Sequence, residues 1–268
     1  MPVNTRLYKT EAIILRQRRV GEADRFLTIY TPGLGKFDIK AKGVRKTTSR
    51  MSGHLQPLSH CMLQIAQGHS MDVVTGVETL ASFGRLHENL DRLSLGLYAA
   101  ELTDRITAER ATSYPSFSLL LDVLQRLDRE PDGWAALRYF EMNLLGQAGF
   151  KPALEGCVVC VKPLEPVDNF FAPLAGGAVC RGCVGGLAGP RLLTLNALKF
   201  LRLLQRGSYN DVARVSVEEG LGDEVERHLR GYIITILERD VNAAAFIEKL
   251  RKDRNTRSVT LARAGQAH

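Results

Sequence analysis

Four of the five cysteines stand in two tight pairs, Cys157/Cys160 and Cys180/Cys183. A C-x2-C turn brings two thiolates together, and two such turns complete a tetrahedral sulfur site of the knuckle type. A redox dithiol needs only one pair. An iron–sulfur cluster draws on more clustered third and fourth ligands than this spacing offers. Four thiolates fill the coordination shell and leave no position for water or substrate, so one structural Zn2+ is expected. Its binding, worth about 10–16 kcal/mol, can order a segment with almost no core, and the nineteen-residue interior between the pairs is rich in Pro and Gly. Many knuckles carry glycine after the second cysteine, where a positive φ is needed; Val161 and Val184 stand there, which predicts a somewhat different turn. Cys61 lies alone in an apolar segment and reads as a small core residue.

A second concentration of chemistry is charge. Lys36, Lys40, Lys42, Arg45, Lys46 and Arg50 fall within fifteen residues against one acid, Asp38. Phe37, Ile39 and Ala41 alternate with Lys36, Asp38, Lys40 and Lys42, the period of a β-strand that buries one face. Gly43 ends the alternation, and 44–50 reads as a basic loop. Cations in such a row can contact successive phosphates of a polyanion. The same lysines also suit a solvated edge strand that blocks edge-to-edge pairing. Residues 1–80 hold twelve Lys/Arg and six Asp/Glu, Arg16, Arg18, Arg19 and Arg25 among them. The net charge of +7 and pI near 9.3 lean the same way, towards an acidic partner.

These residues need a scaffold, and the periodicity supplies one in parts. Residues 10–17, 25–31, 36–42, 60–67 and 72–80 read as five short strands divided by turns, with Pro32-Gly33-Leu34-Gly35 the strongest punctuation. Five strands in about eighty residues without a long helix fit a small closed barrel, of oligonucleotide-binding (OB) or SH3-like type. Phe26, Tyr30 and Phe37 lie within its apolar patterns and are expected in the core. The period then becomes helical: from His87, from about Ser116 to Leu127, and from Trp134 to near Gly149. Beyond the cysteines, Thr194 caps another helix, a further one spans Asp223 to about Leu237, and a short segment covers 242–250. The fold class is thus α+β and multidomain: an OB-type barrel (1–82), a helical domain in two parts (83–155 and 191–250), an inserted zinc-binding knuckle module (156–190) and a polar tail (251–268).

Known catalytic signatures, GxxxxGK[ST], GxSxG and HExxH, are missing, and the six histidines are scattered. The saturated metal site speaks against a metal-dependent hydrolase, so the reading is a binding protein and not an enzyme. No apolar run approaches a membrane span, and the first residues lack a signal peptide's apolar centre. A cytoplasmic location, away from membranes, is the expectation.

Glu11-Ala12-Ile13-Ile14-Leu15, Gly21-Glu22-Ala23-Asp24-Arg25, Thr31-Pro32 and Gly35-Lys36 resemble the N-terminal domain of the bacterial RecO family of DNA repair proteins. Ala41-Lys42-Gly43-Val44-Arg45, Ser49-Arg50 and Leu55-Gln56-Pro57 continue the likeness in the same order. The resemblance implies a recombination mediator of the RecF pathway, nucleoid-associated, that binds single- and double-stranded DNA and anneals complementary strands. It implies RecR and the single-stranded-DNA-binding protein as partners, RecA loading as the outcome, and no small-molecule substrate. Carried onto this chain, the family's DNA contacts fall on Arg16, Arg18, Arg19, Lys36, Lys40, Lys42, Arg45, Lys46 and Arg50. The metal role goes to Cys157, Cys160, Cys180 and Cys183. Without the resemblance, a zinc-containing RNA-binding or ribosome-associated factor fits the same basic barrel, as does a protein adaptor.

Overall fold

The computed structural model describes residues 7–45, 49 and 51–237. The described residues fall into two compact units, one ending at Pro131 and one covering Asp132–Arg239. Lys46, Arg50, the short segment 242–250 and the polar tail 251–268 lie outside the described residues.

In the first unit five strands, β1 (Leu7–Val20), β2 (Asp24–Thr31), β3 (Gly35–Ala41), β4 (His60–Ala66) and β5 (Val73–Ala81), close into a barrel of order β1-β2-β3-β5-β4. Antiparallel ladders join β1 to β2 and β4, β2 to β3, and β4 to β5. A parallel contact at Lys40–Val73 shuts the cylinder. Alternation decides which side chains go in: Ala12, Ile14, Leu27, Ile29, Phe37, Ile39, Ala41, Leu63 and Ile65 share one buried core. The two hairpin turns need left-handed backbone, which Gly21 (φ 58°) and Gly35 (φ 67°) provide. β1 carries a register shift between Ile14 and Arg16, a bulge at Leu15 that re-aims the arginines after it.

Three helices follow in the same unit: α1 (Gly84–Glu88), α2 (Leu90–Ile106) and α3 (Tyr114–Arg129). Asn89 caps α2 through Arg92 N–H and Ser113 caps α3 through Ser116 N–H. The face of β1–β3 that points away from the barrel core begins with Ile13, Tyr30 and Lys36, paired across the three strands. That row is covered by helix: Tyr30 and His60 both meet Phe117 of α3, with ring centroids 6.1 and 6.2 Å apart. The α2–α3 connection is strapped along β3, with Arg110 N–H donating to the Lys36 carbonyl at 2.9 Å and the Arg110 guanidinium 3.7 Å from the Phe37 ring centre.

The second unit holds α4 (Trp134–Gln147), α5 (Leu195–Arg206), α6 (Tyr209–Ala213) and α7 (Glu219–Leu237). It also holds a small sheet of β6 (Asn169–Ala172), β7 (Gly177–Val179) and β8 (Arg191–Leu193) in the order β7-β6-β8. Thr194 caps α5 as expected, accepting from Ala197 N–H. The α7 helix starts four residues before the expected Asp223. Glu224 is therefore inside the helix, where its carboxylate accepts from Thr194 N–H and Oγ1–H, both at 2.8 Å. The expected helical domain is not one unit. α1–α3 belong with the barrel, while α4–α7 share a unit with the cysteine module.

Candidate nucleic-acid interface and metal centre

Cross-strand register places the basic side chains row by row on the outer face of β1–β3. Next to the helix-covered row comes Arg16–Thr28–Asp38, and beyond it Arg18–Phe26–Lys40. Ordinary strand spacing, about 4.8 Å, sets neighbours in a row side by side. The turn after β3 continues the series with Lys42 and Arg45, both exposed. Arg19 is exposed near the end of β1, but its row, Arg19–Arg25–Ala41, ends on a core residue, so it points to the opposite face from Arg18. That turn is fastened to the β1–β2 turn: Gly43 N–H donates to Asp24 at 2.8 Å and Arg45 N–H to the Ala23 carbonyl at 3.0 Å.

Most of the outer-face cations already have acids. Arg16 pairs with Asp104 at 2.9 Å, Arg18 with Asp38 at 3.0 Å and Lys40 with Asp24 at 2.9 Å. The Lys40 ammonium and the Gly43 N–H together hold the Asp24 carboxyl below the usual carboxylate range, so this pair persists at neutral pH. Arg16 and Arg18 remain 56% and 57% exposed, accessible to a second anion in spite of their partners. Among the described residues, no carboxylate lies within ion-pair distance of Arg19, Lys42 or Arg45, although the Lys42 charge also helps to lower the pKa of the Asp24 carboxyl.

Lys36 differs from the rest of the expected set. Its side chain is 13% exposed and its ammonium lies 3.1 Å from Asp104. It also donates to the carbonyls of Asp104 and Thr107, the last carbonyls of α2, where a cation offsets the helix dipole. Lys36 points out of the barrel as the alternation requires, but it serves as a helix terminus partner under the α2–α3 strap. A phosphate cannot reach it without displacing that helix end. Phe26 is a second departure. Tyr30 and Phe37 are buried as expected, whereas Phe26 is only partly buried, on the outer face between Arg18 and Lys40. The signal was present in the sequence: Leu27 and Ile29 face the core, so Phe26 must face the other way.

The four paired cysteines converge in the second unit. Their sulfurs all lie within 4.8 Å of one another, and Cys160 and Cys180 are 3.9 Å apart. A tetrahedral ion with bonds of about 2.3 Å requires sulfur separations of about 3.8 Å. Around them pack Val158, Leu164, Phe170, Ala172, Val179 and Leu187, a small apolar shell. Burial opposes ionising Cys157, but N–H groups of Cys160, Cys180 and Val159 aimed at its sulfur outweigh it, bringing that thiol to about 6. Cys183 moves the opposite way, to about 12, because its bonds to Cys180 and Cys160 favour the thiol and the charge on Cys157 adds to them. One thiolate forms readily and holds the next back, an imbalance that a bound cation removes. The donor set therefore fits one metal ion. Val161 answers the question raised by its missing glycine: it adopts the left-handed φ itself, 63°, while 83% exposed. No altered turn is needed there, and a β-branched residue bears the strain.

Residues 5–83 match the family model for the recombination protein O N-terminal domain, and residues 87–244 match that for its C-terminal domain. The chain belongs to the recombination protein O family. A protein named DNA repair protein RecO from Dehalococcoides mccartyi is 36% identical over 244 residues, 91% of this chain and 96% of the relative. Its namesake from Roseiflexus sp. is 39% identical over 255 residues, 94% and 89% of the two chains. The one from Symbiobacterium thermophilum is 33% identical over 253 residues, 92% and 99%. Family membership assigns the chain a role in DNA repair and recombination. No helix among the described residues is long and apolar enough to cross a membrane.

Proposed function

We propose that the chain is a recombination mediator without catalytic activity of its own, which holds DNA by its sugar–phosphate backbone on the outer face of the barrel. In this reading it binds single and double strands, anneals complementary ones, and with RecR assists RecA loading on strands coated by the single-stranded-DNA-binding protein. Its place is the cytoplasm, at the nucleoid. The observation that carries the reading is the succession of cations across β1–β3 and the following turn: Arg16, Arg18, Lys40, Lys42 and Arg45, with Arg19 at the barrel's end, on the other face of β1, bordering it. Lys46 and Arg50 extend it in sequence. Lys36 is left out because α2 already occupies it.

Two complementary strands repel each other, and a fixed basic surface lowers that cost by replacing condensed counterions. The acids beside these cations keep the surface from becoming a permanent trap: a phosphate must compete with Asp24, Asp38 or Asp104, so strands bind and leave. The four cysteines hold a single structural Zn2+, which orders the module and performs no chemical step. Reversing Lys40, Lys42 and Arg45 to glutamate tests the reading. The triple variant is expected to keep its thermal melting and lose strand annealing; annealing at the wild-type rate would overturn it.

A further inference from the structure

Of the aromatic rings on β2 and β3, Tyr30 is shut in beneath Phe117 and Phe37 is part of the barrel core. Phe26 is neither. It sits in the last complete outer row, partly covered, with the Arg18 guanidinium over the ring at 5.2 Å and the Lys40 ammonium over it at 6.0 Å from the ring centre. A phenyl ring between Arg18 and Lys40, beside a row of Arg, Thr and Asp, stays outside the barrel core and gains only part of what full burial would give. A phosphate that draws either cation away uncovers a π-face between the two.

We propose that Phe26 is the stacking platform for one unpaired nucleobase, with Arg18 and Lys40 as the phosphate ligands on either side of it. This deepens the function proposed above and rests on it. Stacking tolerates any base, because every base has a π-face, whereas hydrogen-bond readout does not. In a duplex both faces of a base are covered by its neighbours, so the ring engages single strands only. Backbone contacts then serve both strand forms while Phe26 adds affinity for one. Annealing removes the added part, and the product duplex leaves more readily than its strands arrived.

The test compares Phe26→Ala and Phe26→Leu with the wild type, binding an oligo-dT strand and a duplex of the same length over a salt series. Leucine keeps apolar bulk at the position but has no π-face, so a loss shared by both variants is not a folding defect. Single-strand affinity is expected to fall about 5- to 100-fold, with an unchanged salt slope and unchanged duplex affinity. A second readout uses Phe26→Trp in a Trp134→Phe background, Trp134 being the chain's one tryptophan. Its fluorescence should be quenched by the single strand and not by the duplex. Equal losses for both strand forms, no loss for either, or no selective quenching would each overturn the proposal. A wild-type chain that binds neither form would overturn the underlying function instead.

Discussion

The ion pairs on the barrel face predict a salt dependence that a count of positive charges does not. For single strands, log affinity falls against log salt by about 0.7 for every phosphate whose counterion is released. Six cations of the proposed set are described, which would give a slope of about −4 were all of them free. Three of the six, Arg16, Arg18 and Lys40, hold a carboxylate within 2.9–3.0 Å. When a phosphate displaces a carboxylate, the protein's own acid is freed, and much of the counterion gain is cancelled. The remaining three, Arg19, Lys42 and Arg45, give a slope of about −2. Replacing Asp24 and Asp38 by Asn removes two of the competing charges. The double variant should steepen the slope to about −3.5 and bind more tightly at low salt. Fluorescence anisotropy with an oligo-dT strand, between about 50 and 200 mM salt, measures both. Equal slopes for wild type and double variant would refute the reasoning, as would weaker binding by the variant.

Cys157→Ser should lower bound zinc from one ion per chain to well below one and depress the melting temperature, as measured by metal analysis and thermal unfolding. Val161→Gly relieves a left-handed valine and should stabilise the zinc-loaded protein by about 1 kcal/mol in urea unfolding. His228 is 2% exposed, and burial pulls its pKa below the ordinary histidine value although Glu224 pulls the other way. The unfolded chain then takes up that proton first, so this contribution is full above about pH 6.5 and is lost as pH falls below it. His228→Gln should therefore lose less stability than the wild type between neutral and mildly acidic pH, as read by denaturant titration at both.

The barrel was legible in the sequence because each strand carries its own period of two and each turn its own glycine. Phe37, Ile39 and Ala41 had to face inward together, and the lysines between them had to face outward. What the pattern did not reveal is who waits outside. Asp104 lies sixty-eight residues after Lys36, and only the docking of α2 brings its helix end over that lysine. The pair Arg18–Asp38 depends on a β1 register that the Leu15 bulge shifts, and Lys40–Asp24 on the β2–β3 register. Phe26 was misassigned because a phenyl ring suggests core, although alternation with Leu27 already placed it outside. In the second unit the cysteine spacing sufficed to bring four sulfurs together. The sheet that braces them is made of strands of three and four residues, too short to leave a period. The capping box of α6, Ser208 with Asp211, was a readable signal for a helix of five residues, and its shortness hid it.

Lysine footprinting tests most directly the claim that DNA lies on the outer face of the barrel. The chain is acetylated briefly with and without an oligo-dT strand, and each amine's rate is read by mass spectrometry. Lys42 and Lys40 should be protected by the strand, Lys36 should react slowly in both samples because α2 covers it, and Lys199 on α5 should be indifferent. Unchanged rates at Lys40 and Lys42 under saturating DNA would contradict the account.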